Sequence, residues 1–131
     1  MGYAISSFDE LGAGSGFRKV RAALGVTAFG VNFLVFPPGY EGPRHYHDTQ
    51  DELYLVHRGR AVFEIDGEER VVGEGGVVHV ESTTPRRVSN RGDDDLVLYV
   101  VGGKGGYVER DGHLTDPAEL EKRQALARGE A

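Results

Sequence analysis

A mostly β chain, a sandwich or small barrel, is what the sequence predicts, and three observations predict it. Short apolar runs recur at intervals suited to strands. Twenty glycines sit between those runs as punctuation, and Asp66-Gly67 joins two of them. Many short strands joined by tight turns leave this pattern, because glycine closes a turn at no steric cost. Asp-Gly suits a two-residue hairpin, which needs positive φ at its centre.

Taken in order, the strands are expected at residues 17–24, 27–36, 53–57, 61–65, 70–72, 77–80, 86–89 and 96–101. Within 61–65, Ala61, Phe63 and Ile65 alternate onto one apolar face and should line the interior. One helix is expected near Asp116, an N-cap followed by Pro117 at the first helical position and Glu119 at the third, continuing over 120–128. Its apolar face is thin, which places it on the barrel surface or at a subunit boundary. At 131 residues the chain fits one domain, 1–131, with the barrel over about 17–103. Residues 1–16 and the helical tail 104–131 are read as peripheral.

Composition narrows the function. A net charge of −6 disfavours nucleic acid, whose affinity comes mainly from phosphate neutralisation. The absence of cysteine excludes disulfides, thiolate metal sites and a cysteine nucleophile. No run approaches the roughly 18 apolar residues that span a bilayer, so a cytoplasmic protein with no membrane partner is the expectation. Serine, histidine and aspartate are all present, but no strand-to-helix nucleophile elbow presents the serine of a hydrolytic triad.

Chemistry concentrates between residues 39 and 59. His45 and His47 fall on the same face of an extended strand, with Tyr46 turned away. After the polar stretch 48–51, Glu52 opens the apolar run Leu53, Tyr54, Leu55, Val56, so a neighbouring strand can bring its carboxylate to the two imidazoles. Two histidines and a carboxylate hold divalent metals while leaving coordination positions open. Tyr54 shares the face of Glu52. Phe63 and Ile65 would make the cavity walls apolar, as in small-molecule pockets. His79 would join the site only if it faced inward; His57 and His113 are read as surface.

These segments resemble a cupin, a small jelly-roll β-barrel whose first motif is Gly-x5-His-x-His-x3,4-Glu-x6-Gly. Gly39, His45, His47, Glu52 and Gly59 match it at every position. The second motif is kept at its ends, Gly73 and Asn90, but departs at three places: Glu81 for proline, Thr83 for glycine and Arg86 for the third metal histidine. The resemblance covers roughly residues 39–101. It implies a lumenal site for iron, manganese, nickel or zinc, a small-molecule ligand, dioxygenase-like or isomerase-like chemistry, and a homodimer.

Arg86 leaves two readings open. An arginine about 5 Å from a divalent ion repels it by roughly 7 kcal/mol at an effective dielectric of 20, and it cannot deprotonate to become a ligand. In one reading the metal stays on His45, His47 and Glu52, and Arg86 fixes an anionic substrate. In the other there is no metal, and Arg86 pairs with Glu52 in a pocket for a sugar or small acid.

Overall fold

Alternating side chains sort the strands into two antiparallel sheets facing each other across a shared core in the computed structural model, which describes residues 2–129. One sheet has the order β1 (Gly16–Arg18), β2 (Gly30–Phe36), β9 (Leu96–Gly103), β4 (Asp51–Arg58), β7 (Val77–Val80). The other has the order β10 (Gly112–Leu114), β3 (His45–His47), β8 (Arg86–Ser89), β5 (Ala61–Ile65), β6 (Glu68–Val72). This is a jelly roll with a short C-terminal helix, as the sequence led one to expect.

Tyr54 and Val56 of β4, Leu96, Leu98 and Val100 of β9, and Phe63 and Val88 of the facing sheet form the core. Each such side chain, fully buried, contributes about 1.5–3 kcal/mol before its ordering cost. The Asp66-Gly67 turn has the anticipated positive φ at both residues, 51° and 81°, and pairs β5 with β6 from Ile65 opposite Glu68. Gly59 explains its own place in the motif. Its φ is 86°, and a Cβ there would stand 2.8 Å from the Asp95 carbonyl oxygen. Asn90 is likewise structural, its buried amide donating to the carbonyls of Phe36 and Asp94 at 2.9 and 2.8 Å.

Three expectations need correction. Residues 17–24 do not form one strand: β1 ends at Arg18, and Val20–Leu24 is a helix, α1. Its two alanines favour a helical turn, and Gly25, at φ 70°, closes it in the left-handed conformation. Strand β10 was not anticipated, because Gly112, His113 and Leu114 lack an apolar alternation. The free edge of β3 orders them by backbone pairing, Gly112 opposite His47 and Leu114 opposite His45.

The third correction concerns the tail, which was read as peripheral. Asp116 caps the turn Pro117–Glu119 through Ala118 N, and helix α2 follows over Leu120–Ala127. Leu126 then enters the core. Glu119 accepts from both the Arg87 guanidinium at 2.9 Å and the Lys122 ammonium at 3.0 Å, tying the tail to β8. At the other end of the chain, Phe8 packs edge-on against Phe33, with the Arg18 guanidinium 3.7 Å from its ring centre.

Candidate metal centre

Strand geometry brings the predicted donors together from opposite sheets. His45 and His47 project from β3 into the lumen, while Tyr46 between them turns outward and stacks on His113. Across the lumen, β4 sends Glu52, Tyr54 and Val56 inward and leaves Leu53 and Leu55 exposed. The potential ligand atoms of His45, His47 and Glu52 all lie within 4.8 Å of one another.

One oxygen is the focus of this arrangement. Glu52 Oε1 accepts from the Tyr54 hydroxyl at 2.5 Å and lies 3.2 Å from His47 Nε2, 4.0 Å from His45 Nε2 and 3.8 Å from Arg86 Nη2. Both imidazoles are oriented through their other nitrogen. His45 Nδ1 meets the Pro43 carbonyl at 3.2 Å, and His47 Nδ1 meets Asp111 Oδ1 at 2.8 Å. With those nitrogens protonated, the Nε2 lone pairs face the lumen.

Burial, the largest influence on His45, holds its pKa down at about 4 against the pull of Glu52, so the ring is neutral near pH 7. Burial also works against a charged His47, but the attraction of Glu52 and Asp111 outweighs it and raises the pKa. Glu52 shows the mirror image: burial would raise its pKa, yet His47, Tyr54 and His45 bring it below the usual carboxylate value. The Tyr54 phenol, buried beside that carboxylate, is pushed well above its ordinary pKa and keeps its proton.

Arg86 sits opposite His45 in the β3–β8 register and is 0% exposed. Its guanidinium donates to the carbonyls of Ser82, Glu81 and Val80 at 3.2, 3.3 and 3.4 Å. It is therefore bound to the end of β7 and does not line the cavity. Phe63 lies behind Tyr54, their rings edge-on at 5.3 Å, fully buried and also off the cavity wall. His79 is placed elsewhere: Val78 and Val80 take the inward positions of β7, so His79 is exposed on the outer face opposite Leu53. It takes no part in the cluster.

Asp111 is the site residue that sequence reasoning missed. Besides orienting His47, its carboxylate accepts from the backbone of Thr49 and Gln50 at 2.6 and 3.0 Å and from the Gln50 amide at 2.7 Å. Those donors hold it ionised well below the usual aspartate range despite partial burial. Next to it, Gly112 lets the His47 ring approach, since a Cβ would stand 3.2 Å from its Cε1. An Asp-Gly pair in a polar tail carries no sequence mark of this role.

The sequence model for the family described as "Cupin domain" matches residues 32–115, more than half of the chain. The chain belongs to the cupin family. Among solved structures, it is similar to a cupin protein from Bacteroides fragilis, with a TM-score of 0.70 at 22% identity over 84% of this chain and 91% of that one. A sugar phosphate isomerase of the cupin superfamily from Silicibacter pomeroyi aligns with a TM-score of 0.66 at 27% identity, over 76% of this chain and 64% of that one. An uncharacterized protein of Methanocaldococcus jannaschii is 29% identical over 64 residues. This cupin spans about half the length of that curated relative, 51%, and the match takes in 49% of its own chain.

Proposed function

We propose that this cupin holds a divalent ion, iron, manganese, nickel or zinc, on His45, His47 and Glu52, and acts on a small anionic organic molecule by isomerase-like or dioxygenase-like chemistry. The observation that carries the reading is His47 Nε2. That atom is buried, satisfies no hydrogen-bond geometry, and faces Glu52 Oε1 at 3.2 Å while Nδ1 is engaged by Asp111. A lone pair and a carboxylate oxygen so close repel unless a proton or a cation stands between them. The donor set suits a cation, and its orienting partners are already in place.

When bound, such an ion supplies Lewis-acid polarisation of a substrate oxygen. The chain's own residues orient and enclose. Tyr54 holds its proton on the hydroxyl and donates it toward Glu52, fixing the carboxylate. Leu34, Phe36, Val88 and Leu126 give the roughly 380 Å³ cavity apolar walls beside the donor atoms. The similarity to a protein described as a sugar phosphate isomerase supports the isomerase-like alternative.

Elemental analysis of protein purified without chelators or nickel columns tests the reading, with near-stoichiometric metal as the expected result. A second reading is a metal-free pocket for a sugar or small acid, in which Arg86 neutralises Glu52; the 3.8 Å approach of those two groups favours it. Metal below a tenth of stoichiometry, unaffected by His47→Ala, would establish that reading instead. The proposal also includes a homodimer, supported by exposed Leu53, Leu55 and Val77 on one outer sheet face. Light scattering on the purified protein reads the mass directly.

A further inference from the structure

The cavity wall inverts the charge balance of the chain. Acidic residues outnumber basic ones overall, 21 to 15, yet Lys19, Arg21, Arg110 and Arg123 line the cavity, and Glu52 is its only carboxylate among the described residues. Elsewhere, most cations are neutralised at close range, among them Arg87 and Lys122 by Glu119, Arg91 by Glu69, and Lys104 by Asp51, with Arg58 and Arg60 as exceptions among the described residues. None of the four cavity cations has a carboxylate within ion-pair distance among the described residues.

Their placement is specific. Arg123 comes from α2 and is half-buried, while Arg110 is exposed just before Asp111. Burial first, and then the neighbouring charge of Arg110, lowers the Arg123 pKa, as expected for two like charges held together without a counterion. The Arg21 guanidinium lies 4.1 Å from the centre of the Tyr107 ring, and both residues line the same cavity. That stacking presets its direction. Arg110 is two residues before Gly112, which pairs with His47, so its backbone lies within about 7 Å of Gly112. The cations and the donor cluster thus share one cavity.

Arg86 leaves this role open, because its guanidinium is committed to backbone carbonyls. We infer that Arg110 and Arg123, with Arg21 and Lys19 beside them, form an anion-binding site at the solvent side of the cavity, which takes the terminal phosphate or carboxylate of a substrate whose other end reaches His45, His47 and Glu52. Paired guanidiniums and an ammonium suit a dianionic phosphate best, through forked donors and charge. The inference rests on the proposed metal reading for what the substrate's far end meets; the anion site itself needs no metal.

The test is calorimetric titration of inorganic phosphate, and separately of acetate, into protein stripped of metal by a chelator that is then dialysed away. Saturable phosphate binding, weakened at least tenfold in R110A/R123A and weakened by added salt, is the expected result, with R91A as an unaffected control. Should the double variant fail to fold, R110A alone decides, because Arg110 is exposed and its removal leaves the core intact; a loss of threefold or more is expected. Saturable acetate binding with the same arginine dependence, and none of phosphate, would assign the site to a carboxylate. No saturable binding of either anion, or equal binding by wild type and the arginine variants, overturns the inference. Metal content measured on the same preparations before stripping reports the other reading separately: wild type without metal defeats that one and leaves this one standing.

Discussion

Residues 45–54 and residues 110–126 meet in the same cavity by opposite routes. The first segment carries its chemistry in its spacing: His45 and His47 alternate onto one face, and Glu52 and Tyr54 onto the facing one. The second carries none in its spacing. Asp111, Gly112 and Arg123 acquire their positions because β10 closes the edge of β3, α2 lies against β1, and Glu119 just before α2 pairs with Arg87 of β8. Donor atoms are therefore specified locally, while their orientation and the electrostatics around them come from a segment some 60 residues away. The tail is part of the candidate site.

Substitutions can set the two regions against each other. The largest effect is expected from His47→Ala, which removes a donor from the first segment and should abolish metal retention, read by elemental analysis. Asp111→Ala leaves all three donors in place but frees the His47 ring, and should weaken metal binding about 10- to 100-fold, read by competition with a chelator. If it left affinity unchanged, the tail would have no part in orienting the ligands.

Arg86 gives the next contrast, because it belongs to neither segment and touches both the carboxylate and the β7 carbonyls. Arg86→Ala leaves Glu52 without its cation and strips three carbonyls of their donor, so unfolding should become easier by about 3 kcal/mol in a denaturant titration. Arg86→His carries the same structural loss. It also replaces a repelling charge with a donor opposite His45, so metal affinity should rise while stability falls. Affinity that does not rise would show that position 86 has no line to the ion.

Smaller effects sharpen the boundary. Gly112→Ala should push the His47 ring by a few tenths of an ångström and weaken metal binding only a few-fold, less than Asp111→Ala. Glu119→Gln acts further out. The Glu119 pKa is lowered: burial works against it, but Lys122, the Arg44 amide and Arg87 prevail. A depressed carboxylate stabilises the fold above its unfolded pKa and loses that contribution as pH falls through the folded one. The wild type should therefore lose thermal stability on acidification below about pH 4.5, the ordinary glutamate value. Glu119→Gln should lose less over the same interval, being less stable from the outset.

Much of the fold was legible because strands and turns are local. The Asp66-Gly67 hairpin, the alternation over 61–65 and the cap at Asp116 each depend on residues within a few positions of one another. Residues 20–24 were misread because their apolar run suits a short helix as well as a strand, and only the register of β1 on β2 decides between them. His79 posed the same difficulty. Neither of its flanking residues settled which face of β7 was inward until that strand paired with β4.

The amino-acid sequence alone made legible a mostly β chain and a candidate donor set, because a period of two places two imidazoles together on any strand, and the spacing of the motif around them carried the resemblance to the cupins and their jelly roll. Tertiary structure alone decided three things: that Arg86 binds carbonyls instead of facing the cavity, that Asp111 orients His47, and that Arg110 and Arg123 of the tail line the same cavity as Lys19 and Arg21, with no carboxylate partner among the described residues. Each depends on distance through space between residues far apart in the chain, and no local pattern records such a distance.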